Sequence, residues 1–351
     1  MDASPTACPA GSSRDVSLQF ALTMTNFTEL VDLAAEVLGG TVIAANDEFF
    51  APKEALLHAA PAEWREGEYT ERGKWMDGWE TRRRRTAGHD WAIVHLGAPG
   101  IVRGVVIDTA FFRGNFPESA SIEACEVDGT PSPDELTSVA TPWRAILPRS
   151  PLAGDTKNMF AIDGRERSTH LRLNIFPDGG VARLRVHGEV RPTRRAAGNA
   201  LVDLAAIENG GYSVVCSDMF FGHRQNLIMP GRSTHMGNGW ETQRRRGPGH
   251  DWTIIRFGAP GSVEWAELDT DHYKGNAPES CMIECCHLPG AAAESLIDPA
   301  LSWTEIVPLT KLQPHARHRF TVKVGTPATH VRLHIYPDGG VARLRIFGRP
   351  A

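Results

Sequence analysis

Short apolar runs separated by turn-forming residues dominate the chain, and within the runs hydrophobic and polar positions alternate. Alternation with a period of two is typical of strands with one buried face. The runs of the first half are residues 92–96, 101–107, 121–127, 169–175 and 181–187. Clusters of Gly, Pro, Asn and Asp lie between them, and the only helical turn predicted is at residues 30–35. The pattern therefore predicts an all-β protein built as an antiparallel β-sandwich.

The second half of the chain repeats the first. Trp79 and Trp240 are 161 positions apart (240 − 79 = 161), and so are His89 and His250. The sequence Leu-Val-Asp-Leu-Ala-Ala opens each copy, at residues 30–35 and 201–206. The duplication predicts two similar domains, because each copy is long enough for its own core. The predicted division is a disordered tail at 1–29, repeat 1 at 30–190, a linker at 191–200 and repeat 2 at 201–351.

Repeat 1 carries about ten extra residues near its start. Asp47 and Asp218 are 171 positions apart (218 − 47 = 171), whereas the later motifs are 161 apart. The excess falls in residues 52–74, a charged stretch with prolines, which predicts a surface loop.

Composition and charge narrow the possible partners of the 351-residue chain. The net charge of −5 gives no general attraction to nucleic acid. No apolar run approaches the ~20 residues of a membrane span. The six cysteines form no CxxC pair, and the N-terminus lacks the pattern of a signal peptide, so we expect a cytoplasmic protein with reduced cysteines. Met24 is a second candidate for the native start.

The first candidate for chemistry is the arginine run that follows each Gly-Trp-Glu-Thr motif, at residues 78–85 and 239–246. Read as a strand, the run places Arg83 and Arg85 on the face of Trp79, and an arginine held by packing can grip a carboxylate through two hydrogen bonds. Gln243 replaces an arginine of the first copy, which makes that position the least important. The alternative is that these arginines are solvated or ion-paired at the surface.

The second candidate is Gly-His-Asp-Trp, at residues 88–91 and 249–252. His89 and His250 can transfer protons near neutral pH or bind a metal. Adjacent residues of a strand point to opposite faces, so we do not expect His89 and Asp90 to form one dyad. The alternative is a turn whose Trp anchors the next strand.

The third candidate is Asp-Thr followed by Gly-Asn-x-Pro-Glu-Ser. It places a carboxylate, an amide and a second carboxylate near the rim of the sandwich, where binding groups are common. A turn alone would need only the Gly-Asn-x-Pro part. The residues are Asp108, Asn115 and Glu118 in repeat 1, and Asp269, Asn276 and Glu279 in repeat 2.

The known zinc spacings, the P-loop, the Gly-x-Ser-x-Gly elbow and the dinucleotide fingerprint do not occur in the sequence. Nucleotide cofactors and serine-type covalent catalysis therefore have little support.

Together the motifs resemble those of the allantoicase family, over residues 30–348. The resemblance rests on residues 47–50, 78–83, 88–91, 108–109 and 114–115 and on their equivalents in repeat 2. It implies a tandem duplicated jelly-roll similar to discoidin-like (galactose-binding-like) and carbohydrate-binding modules. It also implies hydrolysis of allantoate to ureidoglycolate and urea, in purine degradation, by a homo-oligomer. The tail before Leu30 and Gln243 depart from the family pattern.

The chemistry of allantoate suggests roles for the repeated residues. Releasing intact urea breaks a bond from the central carbon to nitrogen, which needs a proton for the leaving nitrogen, a base for water, donors for the ureido oxygens and a cation for the carboxylate. We expect the substrate-binding residues to be Arg83, Arg85, Asn115, Arg244, Arg246 and Asn276. We expect the acid and base roles to fall on His89, Asp108, Glu118, His250, Asp269 and Glu279.

Two alternatives remain open at the level of sequence. A divalent ion such as Mn²⁺ could activate the water through the same carboxylates. The chain could also be a non-catalytic tandem module that binds a glycan or another ligand, since this sandwich class often does so and a fold does not fix a function.

Overall fold

The computed structural model describes residues 27–193, 200–322 and 327–351. Most of the predicted tail with Met24 and Cys8, and most of the predicted linker, lie outside these ranges. Phe27–Glu29, which the sequence assigned to the tail, form a 3-10 turn in which Phe27 is buried.

Repeat 1 is a β-sandwich with one short α-helix, α1 at Pro133–Thr137. Its strands are β1 (Val31–Asp32), β2 (Thr41–Ala45), β3 (Tyr69–Thr70), β4 (Gly73–Lys74), β5 (Trp79–Glu80), β6 (Asp90–Asp108), β7 (Ser119–Cys125), β8 (Arg144–Pro151), β9 (Lys157–Ala161), β10 (Arg167–Phe176), β11 (Gly180–Val181) and β12 (Arg183–Val190). Short 3-10 helices lie at Glu36–Leu38 and Lys53–Leu57.

Repeat 2 has the same architecture, again with one short helix, α2 at Ala293–Leu296. Its strands are β13 (Val202–Asp203), β14 (Tyr212–Cys216), β15 (Trp240–Glu241), β16 (Asp251–Asp269), β17 (Ser280–Cys286), β18 (Thr304–Lys311), β19 (Arg317–Thr321), β20 (Ala328–Tyr336), β21 (Gly340–Val341) and β22 (Arg343–Pro350). Its 3-10 helices are Ile207–Asn209, Arg224–Ile228 and Met236–Asn238. The prediction of two all-β sandwiches is confirmed.

One long strand joins the two layers of each sandwich. The first part of β6 pairs with β2 and β10, and its last part pairs with β12 and β9. The change of partner occurs at residues 97–100, Gly-Ala-Pro-Gly, where a Cβ on Gly97 would lie 2.4 Å from the backbone of Gly40. Strand β16 repeats this arrangement. The core lies between the layers, with Leu171, Leu173 and Ile175 of β10 pointing into it.

Three expectations about local structure were wrong or incomplete. The predicted helical turn at residues 30–35 begins with strand β1, whose Asp32 carboxylate accepts the backbone N–H groups of Ala34 and Val186 and so holds the segment at the sheet edge. The runs 92–96 and 101–107 are two parts of β6, because the Gly-Ala-Pro-Gly segment between them stays extended. Strands β8 and β9 were not predicted, since they are edge strands with exposed residues and few apolar ones.

The extra residues of repeat 1 follow the 3-10 helix Lys53–Leu57, because Arg224–Ile228 is its counterpart in repeat 2. They form an exposed segment that contains the β3–β4 hairpin, as a surface insertion should. This insertion, residues 58–74, borders the site described below.

Five cysteines in the described ranges are free thiols, namely Cys125, Cys216, Cys281, Cys285 and Cys286. None of the described helices is long and apolar enough to span a membrane.

Candidate functional site

A cavity of about 300 Å³ opens at one rim of repeat 1. Three segments meet there: β5, the insertion, and the loop that follows β6. We call this cavity the rim pocket. Its lining residues are Phe50, Trp64, Lys74, Met76, Glu80, Phe111, Arg113, Gly114 and Asn115.

Glu80 is the buried acid of the rim pocket. Backbone pairing with Gly180 of β11 and with Ala51 fixes its position, and the residue is 9% exposed. The side-chain amide of Asn115 donates a 2.7 Å hydrogen bond to Oε1 of Glu80. Burial raises the pKa of Glu80, and this hydrogen bond offsets the rise only in part. Glu80 is therefore a buried carboxyl group with a raised pKa beside a cavity.

The opposite side of the rim pocket carries cations and aromatic rings. Nζ of Lys74 lies 4.0 Å from the ring centre of Trp64, and the Trp64 ring is 5.8 Å from that of Phe111. Arg113 pairs with Asp155 at 3.0 Å, at an exposed position. Both Trp64 and Lys74 belong to the segment 58–74, so the part of the chain that contains the extra residues of repeat 1 supplies one wall of the pocket.

Repeat 2 keeps the acid and the amide but arranges the surrounding loop differently. Asn276 donates a 2.6 Å hydrogen bond to Oε1 of Glu241, as Asn115 does to Glu80. The hydroxyl of Tyr273 donates to the Met236 carbonyl at 2.7 Å. Arg232 forms a 2.8 Å ion pair with Asp271. These contacts tie residues 232–236 across the end of the sandwich that the rim pocket occupies in repeat 1.

The aspartates at the ends of β6 and β16 stabilise the turns that follow them. Oδ1 of Asp108 accepts the N–H of Ala110 at 2.9 Å, and Oδ1 of Asp269 accepts that of Asp271 at 2.8 Å. Both aspartates are buried, and burial raises the pKa of Asp269. Asp108 is not among the residues that line the rim pocket. Its loop nevertheless carries Asn115 into that pocket.

The arginine run does not continue as a strand. Strand β5 ends at Glu80, so the expected alternation of faces does not apply beyond it. The arginines predicted to bind the substrate carboxylate are exposed, and so are the glutamates of the two Gly-Asn-x-Pro-Glu-Ser motifs. These exposed residues are Arg83, Arg85, Arg244, Arg246, Glu118 and Glu279.

Hydrogen bonds hold the side chain and the backbone of Arg84, the half-buried arginine of the first run. The sequence reasoning did not select it. Its Nη2 lies 2.8 Å from Oδ1 of buried Asp90, and its backbone N–H donates to Asp178 at 2.8 Å. Arg245 makes the same contacts with Asp251 and Asp338. The repetition of both the arginine and the aspartate in the two copies was the signal that could have found this pair.

The two predicted histidines pack against aromatic rings. His89 lies 4.7 Å from the ring centre of Phe176, and His250 stacks on Tyr336 at 4.4 Å. Asp90, the neighbour of His89, instead accepts hydrogen bonds from Asn46 and Arg84.

In repeat 2, His250 is the outer member of a hydrogen-bonded chain, which we call the histidine chain. His250 Nε2 lies 2.7 Å from His334 Nδ1, and His334 Nε2 lies 2.8 Å from Oε2 of Glu284. Arg332 pairs with the same oxygen of Glu284 at 2.7 Å. In repeat 1 the position of His334 is occupied by Asn174, which donates to Glu123 at 2.9 Å. The sequence reasoning missed His334 because it has no histidine partner in the other repeat.

The described residues contain no group of three or more His, Cys, Asp or Glu side chains that could together hold a metal ion. The donor sets of the rim pocket and of the histidine chain therefore do not fit a metal centre of ordinary protein ligation.

Comparison with known proteins agrees with the duplicated fold. The sequence pattern of the allantoicase repeat matches residues 31–191 and again residues 202–351. A probable allantoicase of Pseudomonas paraeruginosa is 49% identical over 328 residues, which span 92% of this chain and 97% of that protein. A probable allantoicase of Photobacterium profundum is 47% identical over 326 residues, which span 92% of this chain and 97% of that protein.

A solved structure extends the agreement to three dimensions. The crystal structure of allantoicase from Saccharomyces cerevisiae superposes with a TM-score of 0.78 at 34% identity, covering 96% of this chain and 98% of that one. Two matches to the repeat pattern, relatives that align over nearly their whole length and a shared fold lead to one conclusion: this chain belongs to the allantoicase family.

Proposed function

We propose that this protein hydrolyses allantoate to (S)-ureidoglycolate and urea, and that allantoate binds in the rim pocket of repeat 1. Membership in the allantoicase family supports the reaction. The observation that carries the site is the juxtaposition of Glu80, a buried carboxyl with a raised pKa, with the cations Lys74 and Arg113 around one cavity.

The residues of the rim pocket match the needs of the reaction. The bond that breaks joins the central carbon of allantoate to a ureido nitrogen, and that nitrogen must gain a proton as urea leaves. Glu80 is suited to donate this proton, because burial keeps it protonated to a higher pH than an ordinary glutamate. Lys74 and Arg113 are the cations for the substrate carboxylate, and Gly114 and Asn115 bring amide groups to the wall.

The acid and base residues expected from the sequence remain proposals beside Glu80. Asn115 is the predicted residue that lines the rim pocket, and Asp108 holds the turn that leads to it. The rim pocket is not lined by His89, Glu118 or the four exposed arginines. In this proposal they contact substrate only at the surface around the pocket.

Urea release separates catalysis from the binding-module alternative. Purified protein is incubated with allantoate, with and without Mn²⁺, and urea is measured. We expect urea above the uncatalysed background. Equal urea in the samples with and without protein, together with retention on a glycan resin, would favour a non-catalytic module.

Replacing Lys74 with Met is expected to raise the KM for allantoate about tenfold and to change kcat little. Methionine keeps the apolar stem against Trp64 but removes the charge available to the carboxylate, and tenfold corresponds to ~1.4 kcal/mol of binding energy. Steady-state urea release measures both constants. Lys274→Met, at an exposed position of repeat 2, is the matched control and should leave KM unchanged. An unaltered KM in Lys74→Met would move the carboxylate site elsewhere.

The proposal also covers metal dependence, oligomeric state and cellular location. Since the described side chains do not converge as metal ligands, we assign no step to Mn²⁺. We expect urea release to survive dialysis against EDTA, and its loss with recovery on adding Mn²⁺ would contradict this.

Homo-oligomer formation and a cytoplasmic location, expected from the sequence, stay proposals, to be tested by light scattering and by cell fractionation.

A further inference from the structure

Repeat 2 contains an ordered hydrogen-bonded chain that the rim pocket does not use. It runs from half-buried His250 through buried His334 to Glu284, with donor-acceptor distances of 2.7 and 2.8 Å. We infer that this histidine chain is a second acid-base centre, with His250 as its catalytic residue and His334 and Glu284 as positioning residues. Its proposed substrate class, small ureides that bear a carboxylate, rests on the function proposed above.

The hydrogen bonds fix the direction in which the chain is polarised. Glu284 accepts from Arg332 and is ionised, because the hydrogen bonds from Arg332 and His334 outweigh burial and hold its pKa below the usual value. His334 must then donate from Nε2 and, when neutral, accept at Nδ1. His250 donates to that atom from Nε2, which leaves the lone pair of its own Nδ1 available as a base.

Burial, together with nearby charges, lowers the pKa of both rings of the chain. Burial and the nearby Arg245 lower the pKa of His250, whereas Asp251 and Glu284 oppose that effect. Burial also lowers the pKa of His334, against its hydrogen bond to Glu284. Tyr336 stacks on His250 from the remaining side. A neutral His250 backed by an anion is the arrangement that a general base needs.

Repeat 1 shows what the same fold looks like without the relay. Glu123 and Arg172 form the same ion pair as Glu284 and Arg332, at 2.7 Å, but Asn174 stands where repeat 2 has His334. Oδ1 of Asn174 is buried without a hydrogen-bond partner. An amide cannot pass a proton between two neighbours. The two repeats therefore differ in the side chain that stands between this glutamate and the first histidine, although His89 and His250 are equivalent in sequence.

The proposed step balances in atoms and charge. A water O–H bond breaks as its proton moves to Nδ1 of His250, and the imidazolium that forms is stabilised through its Nε2–H bond to His334, which ionised Glu284 polarises in turn. The water oxygen bonds to the central carbon of the ureide, and the C–N bond breaks with its electron pair going to nitrogen. As that bond breaks, Nδ1 of His250 gives its proton to the departing urea nitrogen and the ring becomes neutral again.

His334→Asn tests the relay, because it installs in repeat 2 the residue that repeat 1 already has at this position. The test uses the full chain carrying Glu80→Gln, which isolates the urea release that remains after loss of the rim-pocket acid. We expect His334→Asn to lower the remaining kcat at least tenfold with little change in KM, and to shift the acidic limb of its pH profile. His287→Asn, an exposed histidine of the same repeat, is the matched control and should change neither.

The outcomes separate this inference from the proposed function. If the remaining urea release is unchanged by His334→Asn, or if Glu80→Gln alone leaves none above background, the second centre is overturned while the rim pocket stands. If the unmodified protein releases no urea, the proposed function fails instead. The relay is then judged by the imidazole resonances of His250. Their shift on adding allantoate, and its absence in His334→Asn, would support the relay, and no shift in either protein would overturn it.

Discussion

Replacing Glu80 with Gln is expected to lower kcat for urea release about a hundredfold, within the range measured for loss of a general acid. Glutamine keeps an oxygen that can accept the 2.7 Å hydrogen bond from Asn115, so the geometry of the rim pocket is retained. What the variant loses is the ionisable carboxyl group whose pKa burial raises. The measurement is steady-state urea release over a range of allantoate concentrations.

Glu241→Gln is the matched control, because Glu241 makes the same contact with Asn276 in repeat 2, away from the rim pocket. It should retain most of the kcat. Equal losses in the two variants would contradict the assignment of the proton donor to repeat 1. The basic limb of the pH profile gives a second reading: it should report a pKa above that of an ordinary glutamate in the unmodified protein and disappear in Glu80→Gln.

Acidification is expected to destabilise the fold strongly, through two equivalent histidines in the cores of the repeats. His170 and His330 are fully buried beside Thr169 and Thr329, and burial lowers the pKa of each to about 4. In the unfolded chain a histidine has its ordinary pKa of 6.5. Between these values the unfolded state binds a proton that the folded state rejects, so stability is lost as pH falls below 6.5.

The expected size of this loss is about 2 kcal/mol per histidine between pH 7.5 and pH 5. Asp203 acts in the opposite direction, because burial raises its pKa to about 6, as it raises the pKa of Asp32, Glu80 and Asp269. His223, whose pKa burial lowers to about 4, adds to the loss. Guanidinium unfolding followed by tryptophan fluorescence measures the free energy at each pH. His170→Gln should reduce the pH dependence by about the share of one histidine. The same slope in the variant and the parent would show that His170 does not stay neutral when folded.

Sequence reasoning reached the architecture because duplication tests each motif twice. Trp79 and Trp240 are an example, because both are fully buried. The indole N–H of Trp79 donates to the backbone carbonyl of Asp47, and that of Trp240 donates to the backbone carbonyl of Asp218, both at 2.8 Å. Two in-register copies of such an anchor, within strands of alternating pattern, specify two copies of one sandwich. The single strand that spans both layers was hidden, since Gly-Ala-Pro-Gly normally indicates a break.

The candidate site was less predictable because its contacts join distant parts of the chain. Glu80 was part of a quoted motif, but nothing in that motif indicates that Asn115 contacts it or that Trp64 and Lys74 close the cavity beside it. The run after Glu80 was read in strand register, whereas the chain there follows the side-chain pairing of Arg84 with Asp90. Register arguments fail where side-chain pairing, and not a sheet ladder, positions the backbone.

The strand that belongs to both layers also constrains how the protein can move. Because β6 runs for 19 residues through both layers of repeat 1, one layer cannot slide over the other without breaking the ladder around residues 97–100. The ladder therefore resists relative sliding of the two layers. The rim pocket consequently has a floor, at Glu80 and Asn115, that a hydrogen bond joins, and a wall, in the insertion, that lies outside the main sheet. Substrate and product should therefore pass the wall formed by residues 58–74, outside the paired body of the sandwich.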